Sequence, residues 1–150
     1  RHICTCTGTQ LQHYQSKFTG PMLDRIDLHV PVSSVAYDQL RERKPAESSE
    51  AIRARVNAAR ERQRARYAGT GVHCNAQLTP GMMREHCPLT SEAQQLMAGA
   101  FDRLGLSARA HDRILKVART IADLAGEDCI SHMHVAEAIQ YRSLDRDTLL

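Results

Sequence analysis

Tryptophan is absent from this 150-residue chain, and phenylalanine and tyrosine number only 2 and 4. Stacking platforms for single-stranded nucleic acid are therefore scarce, because such sites rest on exposed aromatic rings. Lysine is almost missing as well, with 3 residues against 17 arginines. No window approaches the roughly 18 uninterrupted apolar residues of a membrane-spanning helix, so a membrane span is excluded. The Gly-x-x-x-x-Gly-Lys-Ser/Thr phosphate loop occurs nowhere, and no apolar strand ends in Asp-Glu. By itself the chain has no cradle for a nucleotide phosphate. No Ser/His/Asp or Cys/His set stands at a recognisable spacing, which argues against hydrolytic catalysis by this chain alone. The 5 cysteines are an odd number without secretory context, so a disulfide framework is not expected and a reducing cytosol is. Arg1 opens the chain with neither an initiator Met nor a signal-peptide stretch, and the expectation is a fragment of something longer.

What remains is globular composition: 42% hydrophobic and 25% charged residues. At this length about 70% of the unfolded surface can be buried. The net charge of +3 is unevenly laid out. Residues 1–40 balance, residues 41–67 carry nine cations against four anions, and residues 68–150 carry eight against ten. The basic surplus sits in one segment.

Thr9 to Phe18 is a short helical candidate, stopped by Thr19-Gly20-Pro21. Ile26, Leu28 and Val30 alternate with Asp27 and His29, which predicts a period-2 strand ending at Pro31. Ser34 to Arg43 reads as a second short helix, and Lys44 to Ser49 as a polar linker. Everything after it reads as helix. Ser49 precedes a helix to about Tyr67, ended by Gly69-Thr70-Gly71. Thr79-Pro80 opens another, with Thr as N-cap and Pro at the first helical position. Thr90 or Ser91 caps a helix that Gly105 ends. Ser107 caps the longest apolar-periodic helix, closed by Gly126, and Ser131 caps a last one to about Arg142. The predicted fold class is mainly α: a helical bundle preceded by a short α/β remnant with one strand.

Three segments are candidates for chemistry. On the helix Ala108–Leu124, Ala110, Ile114, Val117, Ala118, Ile121 and Leu124 form an apolar arc of roughly 120°, widened by Leu115 and Ala122. Arg109, Arg113 and Lys116 share its polar edge, with Asp112, Arg119 and Asp123 beside them. A cation in the first turn opposes the helix dipole. Either these arginines are solvated or paired locally, or they reach toward a phosphate at that helix end.

In the stretch Gly20–Leu28, Arg25 stands between Asp24 and Asp27 before the strand. It either closes a turn by a local salt bridge or is pinned and aimed outward. The helix Ala51–Tyr67 carries a thin stripe of Ile52, Val56, Ala59, Gln63 and Tyr67. Arg53, Arg60 and Arg64 flank it on one side, and Arg55, Arg62 and Arg66 on the other. Those arginines are stems packed along a seam or contacts to a phosphate backbone. Cys4-Thr5-Cys6 supplies at most half of a thiolate zinc site, and a complete metal site is not expected.

Several motifs together resemble one family. They are Cys4-Thr5-Cys6-Thr7, Gly20 to Val30 (GPMLDRIDLHV), Cys74-Asn75-Ala76-Gln77, the run Leu104 to Leu124 and the ending Ala136 to Arg142. They resemble the C-terminal part of the magnesium-chelatase-like AAA+ ATPases of the ComM/YifB type. The resemblance implies residues 1–36 as the end of an ATPase core, 37–48 as linker and 49–150 as the helical lid. It implies Arg25 as an arginine finger, the catalytic residue that reaches the neighbouring subunit's nucleotide. Arg109 matches the second sensor arginine on the lid, touching its own subunit's nucleotide. Arg113 is a further cofactor-binding candidate, and Arg119 stays open between nucleotide and local pairing.

The same resemblance implies ATP and Mg²⁺ as cofactors of the parent, with none expected for the fragment alone. The parent would hydrolyse ATP as a cytoplasmic ring of identical subunits, a hexamer. Its substrate would be DNA, as a branch-migration helicase in natural transformation. Two alternatives come from other classes: a stand-alone nucleic-acid-binding helical module, and an ATPase subunit for magnesium insertion into a porphyrin.

Overall fold

The longest apolar-periodic helix is the axis around which the others are arranged. The computed structural model describes residues 5–17, 20–23, 25–32 and 47–142. In chain order the α-helices are α1 (Gly8–Gln15), α2 (Gly20–Leu23), α3 (Ser49–Arg66), α4 (Pro80–His86), α5 (Ser91–Leu104), α6 (Ala108–Ala125) and α7 (His132–Gln140). A 3₁₀ turn covers Asn75–Gln77. Helix α6 packs against α7, α3, α4 and the 3₁₀ turn, and α5 packs against α7. The described chain is mainly helical, as its patterning requires.

The helix starts have local causes. Side chains of Ser48, Thr79, Thr90 and Ser107 accept hydrogen bonds from first-turn amides of α3, α4, α5 and α6. Each cap satisfies a donor that has no partner inside the helix. Ser48 rather than Ser49 does this for α3. At α7 the Ser131 amide donates to His134 Nδ1 at 3.1 Å, so the buried His134 ring closes the start of its own helix. Gly105 and Gly126 end α5 and α6 in the left-handed region, at φ 55° and 79°. A side chain is disfavoured there.

Ile114, Ala118, Ala122, Ile130, Val135 and Ala138 are each 1% exposed or less and form the middle of one continuous core. Truncating a large member such as Ile114 to alanine costs about 2–5 kcal/mol. The α4–α5 and α6–α7 connections lie side by side: the Ile130 amide donates to Pro88 O at 2.8 Å, and Ile130 O accepts from the Thr90 amide at 3.0 Å. The covered face of α6 is rotated from the one its pattern suggests. Arg119 and Asp123 join the buried side, while Leu124 is 39% exposed and Val117 and Ile121 are only partly covered.

Two expectations change in the N-terminal part. Gly20-Pro21 does more than stop a helix; it forms the single turn of α2. The alternating stretch Ile26–Val30 is not a strand, and residues 28–32 run without a β-ladder. A strand needs a neighbour to share its amides. Here the His29 amide donates to Tyr141 O at 2.7 Å, and no second strand stands beside it among the described residues. Exposure does not alternate either: His29 is buried, while Ile26, Asp27, Leu28 and Val30 are all exposed. The helix expected over Ser34–Arg43 lies outside the described residues, as do Cys4 and Asp24.

Candidate functional site

What each guanidinium touches separates the arginines that build the fold from those left facing outward. Arg119 belongs to the first group. Its side chain is fully buried and donates to Glu127 O and Asp128 O, both at 2.5 Å, beside Asp123 at 3.1 Å. It ties the end of α6 to the loop that follows. Arg66 reaches Asp123 from α3, donating to the carboxylate at 2.5 and 2.9 Å. Asn75 completes the cluster: its amide group donates to Asp123 at 2.9 Å and to Thr120 Oγ1 at 3.0 Å, and its oxygen accepts from Tyr67 OH at 2.6 Å.

The electrostatics of this cluster are those of a satisfied buried carboxylate. Burial alone would raise the Asp123 pKa, yet the bonds from Arg66 and Asn75 and the charge of Arg119 outweigh it and hold the carboxyl below its ordinary value. Burial lowers the Arg119 pKa, and Asp123 opposes that; the group stays protonated at neutral pH. The bond to Asp123 raises Arg66. These residues hold α3, α6 and the 3₁₀ turn together. Sequence reasoning missed the cluster; its one signal was Asn75, a motif residue without an assigned task.

The rest of the basic helix is also largely engaged inside the chain. Arg62 donates to Gly126 O and to Asp128, Arg60 to Gln63 Oε1, Arg55 to Glu47 and Arg64 to Glu61. Ala59, Gln63 and Tyr67 of its stripe are buried, whereas Ile52 and Val56 are 41% and 43% exposed.

The three predicted site arginines have three different surroundings. Arg25 is exposed on the turn after α2, and its Nη1 donates to Pro21 O at 3.0 Å. Asp27 does not pin it: that carboxylate pairs with Arg113 of α6. Arg113 is therefore engaged by a protein carboxylate and not by Asp112, its sequence neighbour. Asp112 faces His111 Nδ1 at 3.2 Å. Arg109 is exposed and makes no hydrogen bond or ion pair among the described residues. The first turn of α6, where it sits, contains no acidic residue.

Below Arg113 runs an open groove of about 310 Å³. Asp27 and Leu28 line one side, Lys116, Val117 and Ile121 of α6 another, and Tyr141 its end. Lys116 is held to Ala76 O at 3.0 Å, which leaves its charge at the groove edge. Among the described residues no three His, Cys, Asp or Glu side chains stand together as a metal site, and Cys6 and Cys129 are isolated exposed thiols. The groove lining sets Arg113 and Lys116 against Asp27 and Glu137, two cations and two carboxylates.

Comparison with known proteins decides the family. The sequence matches "Magnesium chelatase, subunit ChlI C-terminal" over residues 46–142 and "Magnesium chelatase, subunit ChlI" over residues 1–40. The chain belongs to the magnesium chelatase ChlI family. It is 42% identical over 142 residues to "Uncharacterized protein YifB" of Escherichia coli, covering 94% of this chain and 27% of that protein. It is 39% identical over 138 residues to "Competence protein ComM" of Haemophilus influenzae, covering 91% of this chain and 26% of that protein. The chain thus spans about a quarter of the length of these relatives. Within the ChlI C-terminal match lie the whole Asp123 cluster, Arg119 included, and also Arg109 and Arg113, so the match takes in residues that build the bundle as well as the predicted site arginines of α6. No described helix is long and apolar enough to cross a membrane.

Proposed function

We propose that this chain is the lid and adjoining core edge of an ATP-hydrolysing AAA+ motor of the magnesium chelatase family, working as a ring, a hexamer, with ATP and Mg²⁺. The observation that carries the reading is Arg109: an exposed guanidinium with no hydrogen bond or ion pair among the described residues, in an acid-free first turn of the helix that organises the bundle. A cation there opposes the helix dipole and is relieved by an external anion. Bound ATP supplies that anion and the phosphoanhydride bond to be cleaved. Arg109 then contacts the nucleotide of its own subunit. Arg25, exposed on a turn and held among the described residues by the Pro21 carbonyl, acts on the nucleotide of the neighbouring subunit, where it stabilises charge on the transferring phosphoryl group. Arg113 reaches a phosphate only by leaving Asp27, so this reading assigns it to the ion pair.

DNA is the substrate in this reading, with branch migration during natural transformation as the task. Its support is the name of one relative, a competence protein. The stand-alone nucleic-acid module has less behind it, because five of the six arginines of α3 already have partners within the chain. The deciding experiment uses the longer protein. Arg109→Ala should weaken ATP binding about ten- to hundredfold, the worth of a hydrogen bond to a charged group. Unchanged affinity would remove the argument. DNA is tested separately, by fluorescence anisotropy at two salt concentrations, where binding that weakens steeply with salt is the expected result.

A further inference from the structure

The turn that carries Arg25 is fastened to the lid helices of its own chain. Three polar contacts do this over residues 26–29. Asp27 pairs with Arg113 near the middle of α6. Ile26 O accepts from the buried Arg142 Nη1 at 2.5 Å, across 116 residues of sequence. The His29 amide donates to Tyr141 O at 2.7 Å. Leu23 and His29 are 6% and 5% exposed, so the segment enters and leaves this attachment through buried side chains.

Between those anchors the segment does not bury a hydrophobic face. Ile26, Leu28 and Val30 stay open, and Asp27 and Leu28 line the open groove together with Val117 and Ile121. An attachment made of hydrogen bonds and one ion pair over an open groove transmits displacement while it holds, and releases without breaking a packed core. Asp27 is 54% exposed on its side chain and Arg113 is 23% exposed, so the pair is the member most readily opened.

We infer that Arg113 and Asp27 are positioning residues that couple the lid to the arginine finger. The pair fixes the Arg25 turn on α6, so that nucleotide-driven lid movement in one subunit moves the finger presented to the next. This deepens the functional reading above and rests on it for the role of Arg25. The fastening itself rests on contacts alone.

The experiment has two arms. In the 150-residue chain, amide hydrogen exchange of His29 is followed by NMR for the parent sequence, for Arg113→Gln and Asp27→Asn, and for the charge-swapped pair Asp27→Arg with Arg113→Asp. Each single change should speed His29 exchange about two- to fivefold, the worth of a partly exposed ion pair. The Ala118 amide in α6 should be unaffected, and the swap should restore protection. Unchanged His29 exchange in both single variants overturns the fastening.

In the longer protein the same single changes should lower ATP turnover without changing nucleotide affinity, and the swap should recover turnover. Faster exchange with unaltered turnover overturns the coupling. Failure of the underlying reading looks different: Arg25→Ala itself leaves turnover intact, whatever the exchange data show.

Discussion

Removing the Asp123 carboxylate is the sharpest test of how this bundle is held together. Its side chain is fully buried, and so is that of Arg119 at 3.1 Å; Arg66, at 2.5 Å, is 16% exposed. Asp123→Ala leaves Arg119 buried with only backbone carbonyls for company, takes two hydrogen bonds from Arg66 and frees one donor of Asn75. Breaking a buried pair from one side costs about 3–5 kcal/mol, mostly because the surviving charge stays desolvated. For a chain of this size that is a fall in Tm of about 6–20 °C. Urea unfolding followed by circular dichroism measures the cost at neutral pH.

The pH dependence adds a sign. The folded carboxyl titrates below its ordinary value, so its contribution is complete above the unfolded pKa of about 3.9 and is lost as pH falls through the lower folded pKa. The stability gap between parent and variant should therefore be constant near neutrality and close only in strong acid. A gap under about 1 kcal/mol at pH 7 would refute the reasoning, as would one that widens on acidification.

Other consequences follow from the same structure. Gly126→Ala places a methyl in open space, with no atom within 4 Å, but at φ 79°; the backbone alone should cost about 1–2 kcal/mol. Gly99→Ala also meets nothing within 4 Å but lies inside α5, and there the same change should stabilise by about 0.5–1 kcal/mol. Thermal melts that give both substitutions the same sign would contradict this. Burial pushes the Cys87 thiol up to about 11, whereas Cys6 and Cys129 are exposed. At pH 8 a thiol reagent followed by mass spectrometry should modify those two and spare Cys87 until urea is added; early labelling of Cys87 would be inconsistent with its packing.

The helices were legible because their signals are local. Thr79-Pro80, Ser107 and the glycines at 105 and 126 each act within a few residues, and each does what its chemistry dictates. At Ser48-Ser49 the pattern permits either cap, and only the backbone dihedrals choose. Strand formation at Ile26–Val30 was not decidable from alternation, since a ladder depends on a partner elsewhere.

The candidate site divides in the same manner. Helical periodicity placed Arg109, Arg113 and Lys116 on one edge, of which Arg113 and Lys116 line the groove and Arg109 does not. It did not show that Asp27, 86 residues before Arg113, would claim that arginine. Nor did it show that Asp123 would meet Arg66 across 57 residues. Long-range pairing of charges is set by packing, and a polar edge of a helix looks the same in sequence whether solvent or a second helix covers it. Neither periodicity nor geometry supplies the nucleotide that the proposed function sets before Arg25 and Arg109.

The most direct measurement of the central claim is ATP turnover and nucleotide affinity of Arg25→Ala in the longer protein. If the arginine acts across the subunit boundary, affinity should stay within about twofold while turnover falls by about a thousandfold or more. Turnover within a few-fold of the parent would contradict the account.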